Sequence, residues 1–225
     1  MMRGFSMLKL LRHGVIAILA LLPLLPLVSQ AAPSAHDVIQ QTTTTLLSDL
    51  EANRDKYRSS PEAFYESLNN ILGPVVDAEG ISRSIMTVRY SRSASPEQMA
   101  RFQENFKRSL MQFYGNALLE YNNQGIRVLP EGPSDGPDRT SVGMEVKGNN
   151  GAVYPVQYSM VKQGNEWKVR NVIINGLNLG KLFRDQFAQA MQENGNDLDK
   201  TINNWAGTVA KAKDSPEAQK AKVGS

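Results

Sequence analysis

Residues 140–174 read TSVGMEVKGNNGAVYPVQYSMVKQGNEWKVRNVII, and this stretch decides the fold class. Val142, Met144 and Val146 fall on alternate positions, and so do Tyr154, Val156, Tyr158 and Met160 after Gly148-Asn149-Asn150-Gly151. A period of two marks a strand with one buried face, and a glycine–asparagine turn between two such runs marks a hairpin. Gln163-Gly164-Asn165 gives a second tight turn before a last apolar run, 167–174. The expectation is an antiparallel meander of strands at 140–147, 153–162 and 167–174. A short strand at 126–129 precedes it, separated by the Pro-, Gly- and Asp-rich loop 130–138.

Helical periodicity occupies both flanks. Ser95-Pro96-Glu97-Gln98 has the N-cap serine, first-turn proline and reciprocal glutamine of a capping box. Behind it Met99, Phe102, Phe106, Leu110, Phe113, Ala117 and Tyr121 recur in steps of three and four, the stripe of an amphipathic helix. Upstream, helices are expected at 37–54 (Ile39, Leu46, Leu50), 61–72 (Phe64, Leu68, Ile71, Leu72) and 77–86 (Ile81, Ile85). Downstream, Leu179, Leu182, Phe183, Phe187, Ala190 and Met191 line one helix ended by Gly195, and 197–211 makes another with Leu198, Ile202, Trp205 and Val209 inward. The tail after Asp214 is polar and is expected to be loose. Helices packed on one face of an antiparallel sheet make an α+β domain.

The N-terminus reads as an export signal. Arg3, Lys9 and Arg12 precede an apolar run, 15–28, that is followed by Ser29-Gln30-Ala31. The run carries Pro23 and Pro26 and falls short of the roughly 20 apolar residues a spanning helix needs. Cleavage after Ala31 is expected. The domain plan is a signal peptide at 1–31, one domain at 32–212 and a flexible tail at 213–225. The leader also holds the charge surplus. Three of the 25 basic residues lie in it and none of the 22 acidic ones, so 22 face 22 in the mature chain. The high pI therefore argues neither for nucleic acid nor for a polybasic membrane patch. With no cysteine, disulfides, thiolate metal sites and a lipidated N-terminus are all excluded.

Catalytic signals are sparse. His13 leaves with the leader, so His36, at a mature terminus expected to fray, is the one histidine left. That disfavours a serine–histidine system or a histidine-bound metal. Gly132-Pro133-Ser134-Asp135-Gly136 fits the pattern of a nucleophile elbow, but it lies between strands and no histidine follows it. Residues 194–199 offer oxygen ligands without the spacing of a calcium loop and read better as a helix end followed by an N-cap. The expectation is no catalytic residue, no metal and no cofactor. What stands out instead is the methionine and aromatic content of one sheet face and one long helix, which suits a core or a cavity for variable chains.

The segment 95–121, SPEQMARFQENFKRSLMQFYGNALLEY, resembles the MlaC family, also called toluene-tolerance proteins. So does 156–187, where Tyr158, Trp167-Lys168-Val169, Val172-Ile173-Ile174-Asn175-Gly176-Leu177 and Phe183-Arg184-Asp185-Gln186-Phe187 stand in the family's order. A departure falls at Arg89-Tyr90-Ser91-Arg92, where a second aromatic beside Tyr90 is expected and the local helix end is unsettled. The resemblance implies an NTF2-like cone, helices wrapped over a curved antiparallel sheet of about four strands. It also implies a monomeric periplasmic phospholipid carrier. Its partners would be an inner-membrane ABC transporter with an MCE-domain protein and an outer-membrane lipoprotein–porin complex; its role would be maintaining outer-membrane lipid asymmetry. An enzyme on the same cone, using a buried carboxylate on a small apolar substrate, is the alternative.

On the carrier reading, the sheet face Val142, Met144, Val146, Tyr154, Val156, Tyr158 and Met160 lines the tail pocket. Ile81, Ile85, Phe102, Phe106, Leu110, Leu182, Phe183 and Phe187 close it from the helices. Arg83, Arg89 and Arg92 are candidates for contact with a head group or for docking a partner.

Overall fold

Serine caps set the helix boundaries. In this computed structural model, which describes residues 32–122, 125–132, 134, 136–148 and 150–220, helix α1 spans Ala35–Ser59. It starts earlier than its apolar pattern because Ser34 and Asp37 form a capping box, with Asp37 N–H donating to Ser34 Oγ (3.1 Å) and Ser34 N–H to Asp37 Oδ2 (3.2 Å). His36 therefore sits in a formed first turn rather than a frayed end, its N–H donating to Glu131 Oε1 at 3.1 Å. Ser60 then ends α1 and caps α2, Pro61–Leu72. The expected leader and residues 221–225 lie outside the described residues.

Helix α3 runs Ala78–Ser91, past the expected end at Met86, with a kink at Thr87, where φ is 61° and ψ 165°. That backbone region belongs to glycine, and a β-branched residue there is strained. Helix α4, Pro96–Glu120, begins with the Ser95–Gln98 capping box read from the sequence. Its buried residues follow the expected stripe through Met99, Phe102 and Phe106, then turn to Ser109, Gly115 and Leu119. The first half packs against the C-terminal helices, whereas Leu119 joins Leu50, Tyr57 and Phe64 of α1 and α2. Arg54 ties this end of α4 to α1 by donating to the carbonyls of Leu119 and Tyr121.

The sheet is a five-stranded antiparallel meander in chain order: β1 Ile126–Glu131, β2 Arg139–Lys147, β3 Val153–Gln163, β4 Glu166–Ile174 and β5 Leu177–Asn178. β5 adds to the expected four. Asn175 (φ 48°) and Gly176 (φ 83°) turn the chain back, an Asn-Gly hairpin that the apolar pattern does not mark. A bulge in β4 sets Met160 opposite Val169 and Tyr158 opposite Val172, so two residues of odd spacing share the inner face.

Helix α5, Leu179–Glu193, is capped by Asn178. The single helix expected at 197–211 is two, α6 Leu198–Asn203 and α7 Trp205–Lys213, broken at Asn204. The segment expected to be loose continues as α8, Pro216–Lys220, with Ala218 buried.

The buried apolar residues form three groups. The largest joins α3, α4, α5, α6 and α7 around Trp205. The second lies between α1 and the sheet, and the third between α1, α2 and the end of α4.

Relieving the kink tests the strain. Thr87→Gly removes a penalty of roughly 1–3 kcal/mol and introduces an entropic loss of roughly 0.5–1 kcal/mol. Urea denaturation should show a gain of about 1 kcal/mol; a loss would mean that side-chain contacts of Thr87 outweigh its backbone strain.

Candidate functional site

The inner face of the sheet is built by register. Val142 pairs with Tyr158, Met144 with Val156 and Val146 with Tyr154, while Thr140 pairs with Met160. The seven sheet residues expected to share a face therefore do. Ile126 and Val128 of β1 extend it, facing Val146 and Met144. The opposite face is polar, with Arg127 and Glu145 paired at 2.7 Å.

Burial divides this face. Val142 and Met160 are closed off, at 0% and 1% exposure, beneath Ala35 and Ile39 of α1. Val146, Tyr154, Tyr158 and Ile174 keep open surface. Burial pushes the Tyr158 phenol up to about 12, and the residue is half-buried. Its hydroxyl meets the Met144 sulfur at 3.9 Å.

The helical residues named as the far wall come together as well, in a tighter arrangement than a cavity lining. Phe102 stacks edge-on to Phe187 (5.5 Å) and to Trp205 (5.0 Å), and Phe106 edge-on to Phe183 (5.1 Å). Phe102, Phe187 and Trp205 have no exposed surface, and Ile85 and Phe183 have 1% and 2%. A side chain without accessible surface borders no open space. These rings are the interior of the wall, and Ile81 and Leu110, half-buried on the same cluster, are its open members. Trp205, the first residue of α7 just past the break at Asn204, plugs the cluster.

The three arginines separate. Arg83 and Arg92 line a surface cleft of about 560 Å³, with Asp77, Glu79, Val88 and Arg170. Arg89 lies off it, its guanidinium 5.1 Å from the Tyr90 ring centroid. Arg83 is paired with Glu79 at 2.8 Å. Arg170, which sequence reasoning passed over, donates from Nε to Asp77 at 2.5 Å. Asp77 is the one buried acid in the described core; it caps α3 by accepting from Gly80 N–H (2.9 Å) and bonds through its own N–H to the Val169 carbonyl (3.0 Å). The ion pair spans 93 residues of sequence, so no local pattern announces it. A Cβ at Gly80 would come within 2.4 Å of the Arg170 guanidinium, so the pair needs glycine there.

The motifs noted in the sequence take structural places among the described residues. Ser134 is an exposed residue of the β1–β2 loop, donating to the Arg139 carbonyl at 2.8 Å. Among the described residues, no group of His, Cys, Asp and Glu could hold a metal ion. Residues 194–199 end α5 and cap α6 through Asp197.

An α+β cone with helices on one side of an antiparallel sheet, and a partly uncovered apolar inner face, is the class that fold and site define. Within it, the model of the MlaC protein family matches residues 40–207, and the chain belongs to that family. It is 68% identical over 207 residues to the toluene tolerance protein ttg2D of Pseudomonas putida, covering 92% of this chain and 94% of that one. It is 27% identical to the intermembrane phospholipid transport system binding protein MlaC of Haemophilus influenzae, over 80% and 77% of the two chains. A phospholipid-binding protein from Ralstonia solanacearum, solved in complex with a phospholipid, shares the fold at a TM-score of 0.69 and 23% identity. That match covers 84% of this chain and all of the other.

The inner face can be tested by charge. Val156→Asp places an unpaired carboxylate among apolar groups and should weaken uptake of a pyrene-labelled acyl chain about tenfold or more, read by fluorescence titration. Gln157→Asp, on the outer face, should leave uptake unchanged. Equal uptake by both variants would remove the face from the site.

Proposed function

We propose that this protein is a soluble periplasmic phospholipid carrier that moves lipids between outer- and inner-membrane complexes and so maintains outer-membrane lipid asymmetry. The observation that carries the reading is the inner face of the sheet, where Val146, Tyr154, Tyr158 and Ile174 stay only half-buried beside the sealed helical core. The names of the relatives and the phospholipid held by the Ralstonia protein support the same reading.

The energetics explain why a carrier is needed. Each methylene is worth about 0.8 kcal/mol, so two acyl chains with on the order of 30 methylenes cost roughly 24 kcal/mol to expose to water. An aqueous compartment is crossed only with the tails enclosed. The carrier must still release them to an acceptor, which favours apolar contact over fixed polar clamps. The cleft at Arg83 and Arg92 fits a loosely held head group or a docking contact. Its cations are largely matched by Glu79 and Asp77, leaving little net attraction for a phosphate. The partners in this reading are an inner-membrane ABC transporter with an MCE-domain protein and an outer-membrane lipoprotein–porin complex. Among the described residues no helix is long and apolar enough to cross a membrane. Asp77, committed to a cap and an ion pair, gives no support to the enzyme alternative.

Lipid removal supplies the test. Protein recovered from cells should yield phospholipid in stoichiometric amount on organic extraction and mass spectrometry. Delipidated protein should melt at a lower temperature, because a ligand bound only by the native state stabilises it by about 2.7 kcal/mol at a hundred times Kd. An empty protein whose melting temperature ignores added lipid would defeat the proposal.

A further inference from the structure

The kink at Thr87 brings to the surface two side chains that a straight α3 would not show. Carried on as a regular helix, α3 would set Arg89 in line with Ser82, Ile85 and Met86, seven, four and three residues before it, and all three of these are buried. Val88 would lie beside Ile81 and Ile85, seven and three residues before it. Past the kink the order changes. Tyr90 turns in to meet the Phe187 ring edge-on at 5.8 Å, and Ser91 is buried. Val88 is left 60% exposed and Arg89 stands beside it in solvent. Among the described residues only Val153 matches Val88 as an exposed large apolar side chain. Strained residues persist where the surrounding structure enforces them, and they cluster at functional positions. Here the strain holds an apolar side chain in water.

The charges around it are not balanced. Residues 80–96 contain Arg83, Arg89 and Arg92 and no acid. Arg83 is paired with Glu79, whereas neither Arg89 nor Arg92 has a carboxylate partner among the described residues. Val88 and Arg92 both line the 560 Å³ cleft, together with Ser84 and Ser91. The result is an apolar side chain at the edge of a cleft, flanked by two exposed cations.

Resting on the carrier reading, we propose that Val88, Arg89 and Arg92 form the docking contact for a partner protein, and that the partner presents an acidic segment with an apolar side chain. That side chain enters the cleft against Val88, and the partner's carboxylates meet the guanidiniums, whose fork suits bidentate pairing. An apolar centre flanked by arginine has the composition of an interface hot spot. A lipid surface is a poorer match. Attachment to anionic lipid draws on clusters of about four to eight cations, and a single valine buries little apolar area in an acyl layer.

The experiment compares two kinds of vesicle by cosedimentation. One is native envelope vesicles with their membrane proteins intact. The other is protein-free vesicles of phosphatidylethanolamine and phosphatidylglycerol. The wild type should bind the native vesicles in a salt-sensitive way and the protein-free ones about tenfold more weakly or worse. Trypsin shaving, or blocking vesicle carboxylates with carbodiimide and glycinamide, should remove the difference. Val88→Asp should weaken native-vesicle binding about tenfold or more. Arg89→Glu with Arg92→Glu should do the same and flatten the salt dependence. Val153→Asp, which charges the other exposed valine at the start of β3, should bind as the wild type does. Equal binding to protein-free vesicles would assign the patch to the lipid surface and overturn the inference. So would a wild type that ignores native vesicles, binding unmoved in the Val88 and arginine variants, or an equal loss in Val153→Asp. Each preparation is also extracted for phospholipid. Loss of lipid in the Val88 or arginine variants would give the patch to the cargo and overturn the docking assignment. A wild type without phospholipid would defeat the carrier reading, whatever the vesicles show.

Discussion

The edge-to-face packing of Phe102, Phe106, Phe183 and Phe187 around Trp205 is the interaction on which the rest of the molecule depends. Aromatic contacts of this geometry add to the burial of large apolar areas, and here they join α4, α5 and α7 without help from the sheet. The helices thereby have a core of their own. The sheet is free of the duty of filling the whole core, and part of its inner face can stay uncovered. A protein that packed both halves to full density would have nowhere to put a ligand.

The polar groups divide the molecule in a complementary way. Charges stay on the outside or at the α3 cleft, where Asp77 and Arg170 lock α3 to β4. The interior holds hydroxyls and sulfur instead. Neutral groups of this kind cost far less to enclose than ions. An interior that is apolar, weakly donating and uncharged suits cargo that must be surrendered as readily as it is taken up.

Much of this was legible in the chain. The two-residue period of Val142–Val146 and Tyr154–Met160, with glycine turns between, announced the meander and the shared face, because register follows from alternation and turn length. The Ser95–Gln98 box announced the long helix. Three features were hidden for physical reasons. Asn204 breaks the last amphipathic stretch without glycine or proline, so its periodicity runs on through the break. Thr87 occupies a backbone region its residue type disfavours, which local propensity could not foresee. The contacts of Tyr158, Thr43 and Met144 depend on how α1 lies across the sheet, a tertiary matter with no local signature. The same is true of which phenylalanines end up sealed against Trp205 and which apolar neighbours remain open.

The bulge in β4 carries a consequence for how this chain can change over generations. Arg170 and Asn171 together face the single residue Ser159, which lets Val169 and Val172 both turn inward. Losing the extra residue would restore a regular strand with the same inner face, whereas gaining one more would send Val172 and Ile174 into water and carry Ile173 inside. Growth is therefore barred in this strand, and natural insertions should collect in the β1–β2 loop, where no face is at stake.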